Sequence, residues 1–257
     1  MSGVANAGLL VRRSVVRTLR QPANLVFSFL FPLILLAVNS GGLNAATRIP
    51  DFPTDSYLSF ALAVPFVQGA LFAASSAGTN IAVDIESGFL SRLSLTPISR
   101  SGLLGGQLAG VVALGFAQAV VYLAVGLAAG AGFKAGPLGV PVLLALSVLI
   151  TLGFGTIGAF AALRTGSGEA VQGLFPLLFV LLFLSSNALP RNLIAQYWFR
   201  TVATYNPVSY LLEAIRSLVI KGWDGEALAL GFGCAAAIAA VGVWACSNAL
   251  RTRVLRT

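Results

Sequence analysis

Six stretches of nearly unbroken apolar sequence run along the chain, at 23–40, 57–83, 102–130, 138–163, 170–189 and 227–250. Short polar connections separate most of them. Crossing the hydrocarbon of a bilayer as a helix takes about 20 apolar residues. The pattern therefore predicts an all-α polytopic membrane protein, with one transmembrane domain of six spans filling 1–257. Three segments do not fit the span pattern. Residues 1–22 place Arg13, Arg17 and Arg20 at i, i+4 and i+7, opposite Val11, Val15 and Leu19. That is an amphipathic helix in the membrane interface, with arginines toward anionic head groups. Residues 84–100 are polar and contain a glycine and a Thr-Pro, and 190–226 are too polar for a span and too apolar for a plain loop.

Composition supports this. Hydrophobic residues make up 57% of the 257-residue chain and charged residues only 9%, against about 25% in soluble domains. So few charges cannot cover a water-facing surface. The net charge of +8 does not point to nucleic acid, because the Lys and Arg sit at the ends of apolar stretches, where the positive-inside rule places them. With the N-terminus inside, the inner segments hold ten Lys and Arg and the outer segments six. Both termini are therefore expected in the cytoplasm, in a cell membrane of bacterial inner-membrane type. The basic first twenty residues lack the short apolar core and small-residue site of a cleaved leader, so the chain is expected to insert whole.

Several chemistries are excluded by what is missing. There is no histidine, hence no histidine-based metal site, triad or proton relay. Cys234 and Cys246 lie twelve residues apart in one apolar stretch, about 18 Å along a helix, too far to join. They read as small apolar fillers. No G-x-x-x-x-G-K-[S/T] phosphate loop is present, and no carboxylate pair sits in mid-span to relay protons. The chain is expected to bind no cofactor and to carry no catalytic residues. Gln68 and Gln118 are the polar side chains deepest in the spans. They read either as interhelical hydrogen-bonding groups or as lining of a translocation path.

Two polar stretches carry more information. At the end of the second apolar stretch, Asp84 and Glu86 precede Gly88, then Phe89, Leu90, Arg92 and Leu93, with Thr96-Pro97 and Arg100 closing the segment. A short helix there would expose Arg92 and bury Phe89, Leu90 and Leu93. It reads either as an ordinary cytoplasmic loop or as a docking helix for a soluble partner. In the second stretch, Asn206 is a good N-cap with Pro207 at the first helical position. Val208, Leu211, Leu212, Ile215, Leu218 and Val219 then recur at helical spacing. Glu213 and Arg216 stand three apart on the other face and could pair. This predicts a short amphipathic helix at the outer surface or dipping into it.

Both stretches resemble a known family. Glu86-x-Gly88-x-Leu90-x-Arg92-Leu93-x-x-Thr96-Pro97-x-Ser99-Arg100 is similar to the E-x-G-T-x-E-x-L-x-x-T-P-x-S-R pattern of ABC-2 type permeases. Asn206-Pro207-x-x-Tyr210-x-x-Glu213-x-x-Arg216 resembles the family's N-P-x-x-Y-x-x-E-x-x-R near the last span. The likeness is closest to the daunorubicin-resistance branch. Two departures stand out. Ser91 replaces the family's second acidic residue, and SSNALPRN replaces the usual segment after the fifth span.

The resemblance implies an exporter with two permease subunits, identical or paralogous, and two ATP-binding subunits that carry ATP and Mg. It implies that 84–100 couples to the ATPase and that Asn206, Pro207, Tyr210, Glu213 and Arg216 belong to an outer gate region. Membrane lipids are the remaining expected partners. A hydrophobic drug, lipid or lipid-linked substrate would suit the apolar chain. The competing reading is an ATP-independent carrier or membrane assembly factor.

Overall fold

A helix interrupted near its start stands at the centre of the bundle. The computed structural model describes residues 11–17, 20, 22–89, 92 and 100–254. Residues 11–17 are helical, and α1 (Pro22–Gly42) runs on through Pro32. A short 3-10 turn at Asn44–Arg48 leads to α2 (Tyr57–Ala61), whose N-cap Ser56 accepts a bond from the Ser59 amide. The chain bends at Leu62 and continues as α3 (Ala63–Glu86). Pro65 has no N–H to give the carbonyl four residues back, at Ala61, so the apolar run predicted as one span becomes two helices.

The other long helices are α4 (Arg100–Ala128), α5 (Gly139–Thr165) and α9 (Gly225–Val254). Among the described residues all regular structure is helical, as the apolar pattern predicts. Five segments are long and apolar enough to cross a membrane. The fifth predicted span, 170–189, is instead the 16-residue α6 (Gly168–Phe183), about 24 Å long against a hydrocarbon core of about 30 Å. Ser167 caps its start, and a run of serines and Asn187 follows its end.

The segment 190–226 folds into a 3-10 turn at Arg191–Leu193, α7 (Tyr197–Tyr205) and α8 (Pro207–Arg216). A π-helical turn, Ser217–Lys221, continues α8. The six apolar positions predicted for one face of this stretch are all buried. Asn206 accepts from the Val208 amide and has Pro207 behind it, as the sequence predicts.

Helices in lipid gain little from hydrophobicity alone and need close packing. Gly158 of α5 lies against the backbone of α3 so closely that a Cβ would overlap the Ala74 carbonyl. α3 packs against α5, α6, α4 and α1, while α9 packs against α5 and α8. Three hydroxyls inside the bundle satisfy themselves locally, whereas Gln118 finds no partner for either amide atom and Gln68 none for its Oε1. Ser147, Thr151 and Thr156 donate to carbonyls of their own helix, Leu143, Ser147 and Gly153. Gly166, at φ +72°, ends α5 in the left-handed conformation. Arg253 of α9 donates to the nearby Leu163 carbonyl at 2.7 Å, tying the ends of the two helices together.

Candidate functional site

Four places in the bundle concentrate polar or aromatic groups. The first is the end of α3 near Glu86. Asp84 is only 2% exposed. Arg13 donates to its two carboxylate oxygens at 2.9 and 3.1 Å, Arg17 donates at 2.7 Å, and Gln107 of α4 donates at 2.9 Å. Ser14 joins the same contact, donating to the Gln107 carbonyl and accepting from the Gly110 amide. The Arg13 guanidinium lies 3.8 Å from the centre of the Phe89 ring. Helix 11–17 is thereby fastened across the ends of α3 and α4.

Two sequence expectations change here. Arg13 and Arg17 face a buried carboxylate rather than lipid head groups, because an unpaired buried charge is far more costly than a solvated one. Arg20 remains exposed. Asp84 is sealed beneath the N-terminal helix, so its carboxylate is not offered to a soluble partner. Glu86 is exposed, and Gly88 takes φ +66°, a turn that favours glycine. Arg92 is exposed and donates to the Ser87 carbonyl at 3.3 Å. Arg100 opens α4. Leu90, Leu93, Thr96 and Pro97 lie outside the described residues.

The second place is the opposite end. Arg216, 6% exposed, donates to the carbonyls of Phe60 at 3.0 Å, Ser186 at 2.5 Å and Asn187 at 2.6 Å. Its guanidinium stacks 3.6 Å from the centre of the Phe60 ring. Burial pushes its pKa down to about 9, which leaves it charged at neutral pH. The expected Glu213–Arg216 pair is not formed. Glu213 instead takes an ion pair from Arg191, whose guanidinium also lies 4.7 Å from the Tyr210 ring centre. Burial lowers the Arg191 pKa and Glu213 raises it, with a net rise. The i, i+3 spacing allowed the first pairing. The loop after α6 wins because its carbonyls have no helical partners and Arg216 can reach them. Asn206 serves the same loop, donating to the carbonyls of Leu181 and Leu184 at 2.7 and 3.0 Å.

The third place is the pair Gln68 and Gln118, each 2% exposed. Both lie inside one chain, with Gln118 and Tyr122 each close to Gly69. Tyr122 donates to the Ser28 carbonyl of α1 at 2.6 Å. Path lining would require an open surface, and neither glutamine has one in this conformation.

The fourth place is aromatic and carries no signal in the polar pattern. Phe27 and Phe31 of α1, Phe72 of α3, and Phe175, Phe179 and Phe183 of α6 form one chain of ring contacts. Neighbouring ring centres are 4.9–6.3 Å apart. Phe27 and Phe183 at its ends are more than half exposed. Phe183 also lines a cavity of about 370 Å³ shared with Tyr57 and Phe199. The i, i+4, i+8 spacing of Phe175, Phe179 and Phe183 on α6 was the available clue to one aromatic face. Among the described residues, no group of three or more His, Cys, Asp or Glu is placed to hold a metal.

A family profile described as ABC-2 type transporter matches residues 6–220. The chain is 30% identical over 209 residues to the daunorubicin resistance ABC transporter permease protein DrrB1 of Streptomyces coeruleorubidus, covering 77% of this chain and 69% of that protein. It is 26% identical over 226 residues to a probable doxorubicin resistance ABC transporter permease protein, DrrC, of Mycobacterium tuberculosis, covering 85% and 78%.

Proposed function

We propose that this chain, which belongs to the ABC-2 type transporter family and is the membrane subunit of an ABC exporter, carries a hydrophobic aromatic compound along its phenylalanine face. A second permease subunit closes the path from the other side. The energy comes from ATP hydrolysis on a separate ATP-binding subunit, since the chain has no phosphate loop of its own. That subunit docks on the segment from Glu86 to Arg100, with both termini of the permease on the same, cytoplasmic side. Glu86 and Arg92 are exposed charged contacts there. Asp84 acts indirectly, by holding helix 11–17 against the base of α3 and α4.

The observation that carries the substrate reading is the run of six rings from α1 through α3 to α6. Offset and edge-on ring contacts are each worth about 0.5–1.5 kcal/mol beyond area burial. A flat polycyclic molecule can exchange such contacts from ring to ring without needing a polar anchor. The relatives are named for daunorubicin and doxorubicin resistance, which supports a drug of that kind here.

Daunorubicin binding to the full chain in lipid nanodiscs tests this, read by the drug's own fluorescence. Phe175→Ala and Phe179→Ala together should weaken binding about tenfold, which corresponds to about 1.4 kcal/mol. Unchanged affinity in the doubly substituted protein would remove the phenylalanine face from the path.

A further inference from the structure

A cavity of about 520 Å³ opens at the end of the bundle away from Asp84, within the 300–1,000 Å³ range of small-molecule sites. α3 separates the two ends by about 36 Å. Arg216 forms part of the cavity wall. Its charge is buried, and among the described residues no carboxylate lies within ion-pair distance of it. A guanidinium has five N–H groups, and three are given to carbonyls, so two remain. Glu213 acts on it only from beyond ion-pair contact; a buried cation with donors to spare and no carboxylate against it is costly, and an entering oxyanion would relieve that cost.

The other charges of the cavity sort themselves by pairing. Arg191 is bound to Glu213, and Lys221 to Asp224 at 3.1 Å. Asp51 and Glu226 also line the cavity, and among the described residues neither carboxylate has an ion-pair partner. Asp51 is held at φ +65°, an uncommon conformation outside glycine. One wall is apolar, formed by Ala227 and the half-exposed Leu230 of α9.

We infer that this cavity binds a phosphoethanolamine group, carried by a lipid head group or by a free solute. The phosphate takes the two spare donors of Arg216, in the charge-assisted geometry that guanidinium and phosphate favour. The ammonium lies toward Asp51 and Glu226. With a lipid, the acyl chains leave along Ala227 and Leu230 into the bilayer. The site is separate from the phenylalanine face and does not rest on the substrate assigned to it.

The test uses the full chain in phosphatidylglycerol nanodiscs, with Trp198→Phe and Trp244→Phe leaving Trp223 as the reporter. Dihexanoyl phosphatidylethanolamine should bind at least tenfold more tightly than dihexanoyl phosphatidylglycerol, which has the phosphate and lacks the ammonium. Asp51→Asn with Glu226→Gln should abolish that preference. Both carboxylates are exposed, so neutralising them leaves the packing untouched. Free phosphoethanolamine distinguishes the sources. Binding at least tenfold weaker than the short-chain lipid assigns the site to a head group, and equal binding assigns it to a solute. Equal binding of the two short-chain lipids to the unsubstituted pocket, or a preference that survives both carboxylate changes, would overturn the site.

Discussion

The two ends of the bundle each bury one charge, and they solve the problem in opposite ways. Near the base of α3, a buried carboxylate is neutralised by full positive charges that come from a separate segment, helix 11–17. At the other end, a buried guanidinium is held by neutral carbonyls and a ring, all from the bundle and its loops. In the first arrangement the counter-charges sit on a segment outside the bundle's long helices, held by side-chain bonds. In the second, the partners are the backbone of the fold itself. The difference suits the proposed roles. The coupling end must respond to a partner, and the outer end must hold the loop after α6 in place.

The largest effect should follow from Arg216→Met. It leaves three carbonyls without their donor and should cost about 3–5 kcal/mol, read as a lower midpoint of chemical unfolding in micelles. Asp84→Asn should cost less, about 1–3 kcal/mol, because Arg13 and Arg17 are partly exposed and can recover water. Its loss should appear locally, as faster hydrogen exchange of residues 11–17 with α3 and α5 unchanged. Global unfolding by Asp84→Asn, with little effect of Arg216→Met, would reverse the comparison.

Tyr122→Phe removes one buried hydrogen bond between α4 and α1 and should cost about 1 kcal/mol, again by unfolding midpoint. A smaller effect belongs to the partly exposed Arg191–Glu213 pair, whose coupling energy in a double-mutant cycle should be about 0–1 kcal/mol. The same cycle on Glu213 and Arg216 should show less coupling still, since the two form no ion pair. A larger value there would restore the pairing that spacing alone suggested.

The amino-acid pattern made the helices legible because lipid imposes one rule on every span, and apolar length reports it directly. It also made the Asn206-Pro207 cap and the buried face of α8 legible, since both follow from local chemistry. It failed where distant segments compete for the same group. Arg13 and Arg17 look like head-group anchors until Asp84 is brought beneath them. Glu213 and Arg216 look like partners until the loop carbonyls after α6 are in reach. The phenylalanine face escaped because an aromatic among apolar residues leaves no contrast in a hydropathy pattern. The short α6 escaped for a related reason: 184–189 stays apolar enough to extend the run, although serines and an asparagine there leave the helix.

On the proposed function, this permease moves a hydrophobic aromatic compound only when an ATP-binding subunit works on it. The most direct measurement is daunorubicin accumulation in inside-out vesicles that contain the full chain with its ATP-binding subunit. Uptake is expected with ATP, with none for a non-hydrolysable analogue and strong loss when Arg92→Glu disrupts the docking segment. Undiminished uptake without ATP, or by the permease alone, would contradict it.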